Sequence, residues 1–324
     1  MNLNILTDKN SCFYYWVQVV SGWDDSGLST EIYRYYQNHH VPLSDSQEVA
    51  ISNIRRILRN AKDPRAVLAE LYSNKIKTSN TKEIETQSMK LVEVFEPVWQ
   101  ENLAHLNAWT DTLESVDFTK FNNPMNSIID LLDSNFDTQD LYTIYLLPNY
   151  PAGNATGHAI NNTSFLLVVP PGKDVSLDPR NTISTIAHEY IHAIEFKSRI
   201  TGALFKESYE KYIKPHDISA PDGYLWKMMY VEVLVYCFSS KTTGGYLRPI
   251  IYQKPRPTVE EMKGGFWKLV KGNKHSTNDI INWVSLNILP DIESYIAEGR
   301  KIDHQIVDKI SKVFLDFYLT PSNK

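Results

Sequence analysis

Thr185-Ile-Ala-His-Glu-Tyr-Ile-His-Ala-Ile194 is the stretch from which the rest of this chain can be read. It holds the pattern H-E-x-x-H at His188, Glu189 and His192. On a helix, residues four apart lie about 40° apart in projection and one turn apart along the axis, so both imidazoles can reach one metal ion. Glu189 points about 100° round from His188, which keeps it out of the ligand set but near a water held there. Two neutral nitrogen ligands, an open metal position and a carboxylate base are what a zinc hydrolase requires. The plainer alternative makes the two histidines polar residues on an exposed stripe.

The flanks favour a buried helix. Ile186, Ala187, Tyr190, Ile191, Ala193 and Ile194 are uncharged, and neither proline nor glycine interrupts them. Pro179 suits a first helical turn, where its missing N–H costs nothing. Asp178 or Asn181 can cap that turn. The expected helix is about 18 residues long, within the usual range.

With these flanks the segment resembles the active-site helix of the zincin metallopeptidases. The likeness is close over about ten residues around the pattern. Through upstream strands and a downstream helix it extends loosely over 140–240. It implies a zincin-like catalytic domain, one Zn²⁺ per chain and a third protein ligand beside the two histidines. The metzincin branch would need a glycine where this chain has Glu195 and a histidine where it has Ser198. The gluzincin branch instead takes a glutamate from a second, downstream helix. Tyr224 to Phe238 is the candidate, apolar almost all round, with Lys227 and Glu232 its only charges. A buried carboxylate is costly unless paired or metal-bound. Lys227 and Glu232 are also badly spaced on a helix for pairing with each other. Glu232 is therefore the expected third ligand. Glu195, on the same face as the histidines, is the rival, and it suits a supporting or surface role better than direct ligation.

Composition narrows the class. The chain has 324 residues, 42% hydrophobic and 22% charged, as soluble globular proteins do. The net charge of −5 comes without a basic patch, so nucleic acid is not an expected partner. Cys12 and Cys237 are the only cysteines, too few for a disulfide framework and suited to a reducing compartment. The N-terminus lacks a basic segment ahead of a long apolar one, Phe13 to Val20 being short and broken by Gln18. No run reaches the ~20 apolar residues of a membrane span. A cytoplasmic protein with no membrane partner is expected, and the sequons at Asn154, Asn161 and Asn162 are read as loop chemistry.

The expected fold is α+β and mostly helical, with an N-terminal helical region over 1–118 and the zincin-like domain over 119–324. Within the latter, 119–200 hold strands and the H-E-x-x-H helix, and 201–324 are helical and carry the third ligand. Helices are expected at Ser29–Tyr36, Val49–Asn60 and Pro64–Leu71, then one long helix from Glu83 to Leu113 bent at Pro97. Met125–Leu132 follows. Leu141–Leu147 and Ser164–Val169 read as strands, separated by prolines and glycines that signal turns. An edge strand of this kind can pair with an extended peptide. Helices are again expected at Met262–Val270, Asn278–Leu289, Ile292–Glu298 and Ile306–Phe317. His39-His40 reads as a surface pair and His158 as a solvated loop residue.

The chemistry that follows is peptide hydrolysis, with a peptide or protein as substrate. His188, His192 and Glu232 hold zinc, and Glu189 acts as general base. A tyrosine or histidine should face the developing oxyanion. His216, Tyr224, Tyr246 and Tyr252 are candidates, with Tyr246 favoured because Gly244-Gly245 lets its loop approach a cleft closely. Two other readings stay open: a non-catalytic binding protein on the same scaffold, and a zinc hydrolase of a non-peptide amide.

Overall fold

The computed structural model describes residues 1–22, 35–36, 42–73, 75, 78–160, 163–176, 178–221, 225–239, 245–255, 257–270 and 276–319. The helix expected at Ser29–Tyr36, the His39-His40 pair and Tyr224 lie wholly or almost wholly outside these residues. The fold is α+β and mostly helical, with one four-stranded sheet. The chain divides into two compact units, one of residues 3–117 with 141–186, the other of 1–2, 118–140 and 187–324. A break falls at 117/118, close to the expected boundary, but the strand segment 141–186 groups with the N-terminal helices.

The first unit is built on its sheet. Strands β1 (Asn2–Leu6), β2 (Leu141–Leu146), β3 (Thr156–Ala159) and β4 (Phe165–Val169) lie in the order β1-β2-β4-β3. β2 and β4 run parallel, with Thr143 opposite Phe165 and Leu146 opposite Val168. β3 pairs antiparallel with β4, Thr156 opposite Val169 and Ala159 opposite Leu166. β4 is buried along its whole length, whereas β2 alternates and buries Tyr142, Ile144 and Leu146. His158 stands in β3, not in a loop. Thr-Gly-His-Ala has little strand propensity, and pairing with β4 supplies what the local sequence lacks.

Helix α1 (Lys9–Val20) is the core of this unit, since every residue from Ser11 to Val20 is buried. Asp8 caps it by accepting from the Ser11 N–H at 2.7 Å. The Cys12 thiol donates to Leu146 O at 3.3 Å, tying α1 to β2. Phe13 and Trp16 pack on Phe95. Tyr72 donates to the buried Gln18 amide oxygen at 2.9 Å. The remaining helices are α2 (Asp45–Asn60), α3 (Pro64–Tyr72), α4 (Ser79–Ser88) and α5 (Val92–Glu114). The single helix expected over 83–113 is thus two, divided by a tighter turn at Met89–Leu91, and α5 runs through Pro97. Pro97 removes the bond its N–H would make to the Glu93 carbonyl, yet the helix continues with Phe95 and Trp99 buried on either side of it.

The second unit is helical: α6 (Asn122–Leu131), the greater part of α7 (Pro179–Phe196), α8 (Thr201–Ser208), α9 (Trp226–Ser239), α10 (Arg248–Tyr252), α11 (Val259–Val270), α12 (Thr277–Ala297) and α13 (His304–Leu319). The two helices expected over 278–298 form one, α12, with Pro290 inside it. Leu286, Leu289 and Ile292 are buried on both sides of the proline, so packing holds the helix together across the lost hydrogen bond. α9 and α12 approach closely at Ser285, whose hydroxyl donates to Val233 O at 3.0 Å. Buried hydroxyls link α8, α9 and α13: Ser208 and Ser311 are 2.7 Å apart, and Tyr230 bonds Ser311. Burial pushes the Tyr230 phenol up to about 12, so it stays a neutral hydrogen-bonding group.

The C-terminal end of α7 is pinned to the segment after α6. Ser134 Oγ donates to Ile194 O at 2.6 Å, and Asn135 N–H donates to Lys197 O at 3.1 Å. Ser198 Oγ donates to Leu132 O at 2.6 Å and accepts from the N–H groups of Ile200 and Thr201 at 3.3 and 3.2 Å. One hydroxyl therefore joins the end of α6 to the start of α8. Ser198→Ala removes all three contacts. We predict a loss of about 1–2 kcal/mol, read from the urea midpoint of unfolding. An unchanged midpoint would deny Ser198 this role.

Candidate metal centre

α7 spans 18 residues, from Pro179 to Phe196. Ile183, Ile186, Ala187, Tyr190, Ile191 and Ile194 are buried, which fixes the helix's rotation and turns His188 and His192 to a common side. α9 is more apolar still. Met229, Tyr230, Val231, Val233, Leu234, Val235, Cys237 and Phe238 surround Glu232 and are all buried. Lys227 is exposed, and its charge acts on Glu195.

The two helices bring three donor groups together. His188 Nε2 and His192 Nε2 are 3.1 Å apart, with one ring donating to the other. Glu232 offers one oxygen to each, Oε2 to His188 at 3.6 Å and Oε1 to His192 at 3.4 Å. Among the described residues, His188, His192 and Glu232 form the group whose ligand atoms, all within 4.8 Å of one another, can hold a metal ion. A four-coordinate zinc with bonds of about 2.0–2.1 Å sets its ligand atoms roughly 3.4 Å apart. The nitrogen pair, at 3.1 Å, is near that value, and one Glu232 oxygen lies within 4.8 Å of both nitrogens, so the donor set can close on a tetrahedral ion. Two imidazoles and a carboxylate also suit zinc by chemical type. The side chains of His188 and Glu232 each retain 19% exposure, so the centre is open to solvent on one side.

Electrostatics agree with a cation site. Burial opposes a charged imidazolium at His188, yet the neighbouring Glu232 carboxylate and the charge of Glu189 carry its pKa above the ordinary histidine value. A metal ion bound there would compete with a proton for the imidazole nitrogen.

The other carboxylates go elsewhere. Glu195 is buried and accepts from Thr201 Oγ1 at 2.8 Å. Burial raises its pKa against the opposing effects of Thr201 and Lys227. Glu189 is buried one residue from His188, close enough for its charge to act on that ring. Tyr246, the favoured oxyanion donor, has its backbone N–H bonded to Cys237 O at 2.8 Å, more than a turn beyond Glu232. His216 is exposed at the end of the turn Lys214–His216. Tyr252 lies under the Arg248 guanidinium.

Two aromatic neighbours escaped the sequence reading. Tyr236 packs its ring edge-to-face on His188, with centroids 5.3 Å apart, and Phe196 stacks on His192 at 6.2 Å. The signal that would have found them is helical spacing, because Tyr236 follows Glu232 by four residues and Phe196 follows His192 by four. No family model, characterised protein or solved structure matches this chain.

The geometry predicts a clear ordering of metal affinity. His188→Ala and His192→Ala should abolish zinc retention, and Glu232→Ala should remove most of it. Glu195→Gln, which keeps an acceptor for Thr201, should cost at most about 10–100-fold. Zinc titration of metal-stripped protein by calorimetry checks this. A larger loss at Glu195 than at Glu232 would move the third ligand to α7.

Proposed function

We propose that this protein is a zinc-dependent metallopeptidase with a zincin-like, gluzincin-type catalytic domain. The observation that carries the reading is the convergence of His188, His192 and Glu232 from two helices, with Glu189 buried beside the first histidine. His188 and His192 would hold one Zn²⁺ through their ring nitrogens, and Glu232 through a carboxylate oxygen. When bound there, the ion supplies a Lewis acid and lowers the pKa of water toward neutrality.

The chain's own part in the reaction falls to Glu189. Its carboxylate takes a proton from the attacking water and passes it to the leaving amine nitrogen. The substrate is a peptide or protein, and the oxyanion donor is left unassigned because the tyrosines and histidine first considered have no shown link to the centre. A cytoplasmic location belongs to the same proposal, supported by two free, buried cysteines.

Glu189→Gln separates chemistry from binding. Glutamine keeps the size and hydrogen-bonding reach of the side chain but cannot accept the proton. Against a substrate selected from a peptide library, turnover should fall by at least about 10²–10⁴-fold, while zinc content and fold stay at parent levels. Chelation should abolish parent turnover and added zinc should restore it. Parent-like cleavage by Glu189→Gln would remove Glu189 as the base. A zinc-loaded parent that cleaves no peptide but hydrolyses other amides would change the substrate class, and one inert to both would make the chain a binding protein.

A further inference from the structure

The two histidines are the middle members of a row of rings. Tyr236 packs on His188 with an interplanar angle of 82°, and His188 packs on His192 with centroids 4.8 Å apart at 74°. His192 then stacks on Phe196 at 26°. The outer rings come from the same two helices as the ligands, each one turn beyond the last ligand of its helix. α9 thus brings both the carboxylate and the ring that abuts His188.

A histidine on a helix has a stiff first torsion and a broad second one, so an unsupported ring swings its Nε2 over a wide arc. Rings packed on both ends of the pair narrow that arc, and the edge-to-face geometry at His188 is one that aromatic pairs favour. The hydroxyl of Tyr236 lies 3.5 Å from Asn278 Oδ1, and the contact with His188 is made by the ring.

We propose that Tyr236 is a positioning residue for the metal centre, its ring holding His188 so that Nε2 points at the place shared with His192 and Glu232, while Phe196 does the same for His192. This rests on the metal reading above, and it predicts that a residue touching no metal tunes metal affinity through an imidazole.

The test compares Tyr236→Phe, which keeps the ring, with Tyr236→Leu, which removes it. Metal-stripped parent and variants are titrated with cobalt(II), read by visible absorption, and the His188 ring protons are followed by NMR without metal. Tyr236→Phe should bind cobalt within about threefold of the parent, and Tyr236→Leu about 10–100-fold more weakly with an altered visible band. In the metal-free spectra, the ring-current shift on His188 should survive in Tyr236→Phe and vanish in Tyr236→Leu. If Tyr236→Leu does not fold, Phe196→Leu carries the same comparison at His192. Equal cobalt affinity in parent and leucine variant overturns the positioning role and leaves the metal reading standing. A parent that binds no cobalt overturns both. Weakening by Tyr236→Phe as strong as by Tyr236→Leu overturns the assignment to the ring.

Discussion

A carboxylate set into an apolar helix is the constraint on which the second unit turns. Glu232 is flanked on α9 by buried residues, and an ionised carboxylate there has lost most of its water. Left unpaired, such a group would be neutralised or would drive the helix apart from its neighbours. The imidazoles of His188 and His192 meet it at 3.6 and 3.4 Å. The attraction is mutual, since the same carboxylate lifts the pKa of His188 against its own burial. Two helices far apart in sequence thereby meet at one place, with three donor atoms close enough together to hold a metal ion.

That meeting is only as firm as the packing behind it. Behind α9, Ser285 lets α12 approach to hydrogen-bonding distance of the Val233 carbonyl, and the Ser208–Ser311–Tyr230 hydroxyls join α8 and α13 to it. These are buried polar contacts with each partner satisfied, the kind that specify one arrangement rather than merely add stability. The far end of α7 is set by Ser134 and Ser198, short side chains bonding backbone carbonyls across two chain segments. A site assembled on helices fixed in this way needs little reordering when it takes up a ligand.

The centre was largely legible in the sequence because its residues break the pattern around them. Two histidines and a glutamate in an uncharged run, and one glutamate in an apolar helix, stand out against their neighbours. What escaped was what looks ordinary. Tyr236 reads as one more aromatic in α9, and only the distance to His188 distinguishes it. The helix pattern was likewise clear where periodicity was strong, as in α2, α6 and α13. It failed at Met89–Leu91, where a tighter turn divides the expected long helix, and at Pro290, where packing on both sides overrides the usual effect of proline. β3 was missed because its strand character comes from β4, not from Thr156-Gly-His-Ala itself. Segment 141–186 joins the N-terminal helices through long-range pairing that no local pattern reports.

Three glutamates lie within a short distance along two helices, and their surroundings give them three different parts. Glu195 accepts a hydrogen bond from Thr201, and burial raises its pKa against the effects of Thr201 and Lys227, so its carboxylate already has a partner. Glu232 faces two imidazoles, one oxygen to each. Glu189 is buried beside His188, and its charge acts on that ring. A ligand must be ionised and convergent, a base must be near the centre but outside the ligand set, and a supporting residue must have another partner. On the proposed reading, Glu232, Glu189 and Glu195 take these three parts in turn, because Glu232 alone of the three converges with both histidines and Glu195 already has Thr201 as its partner.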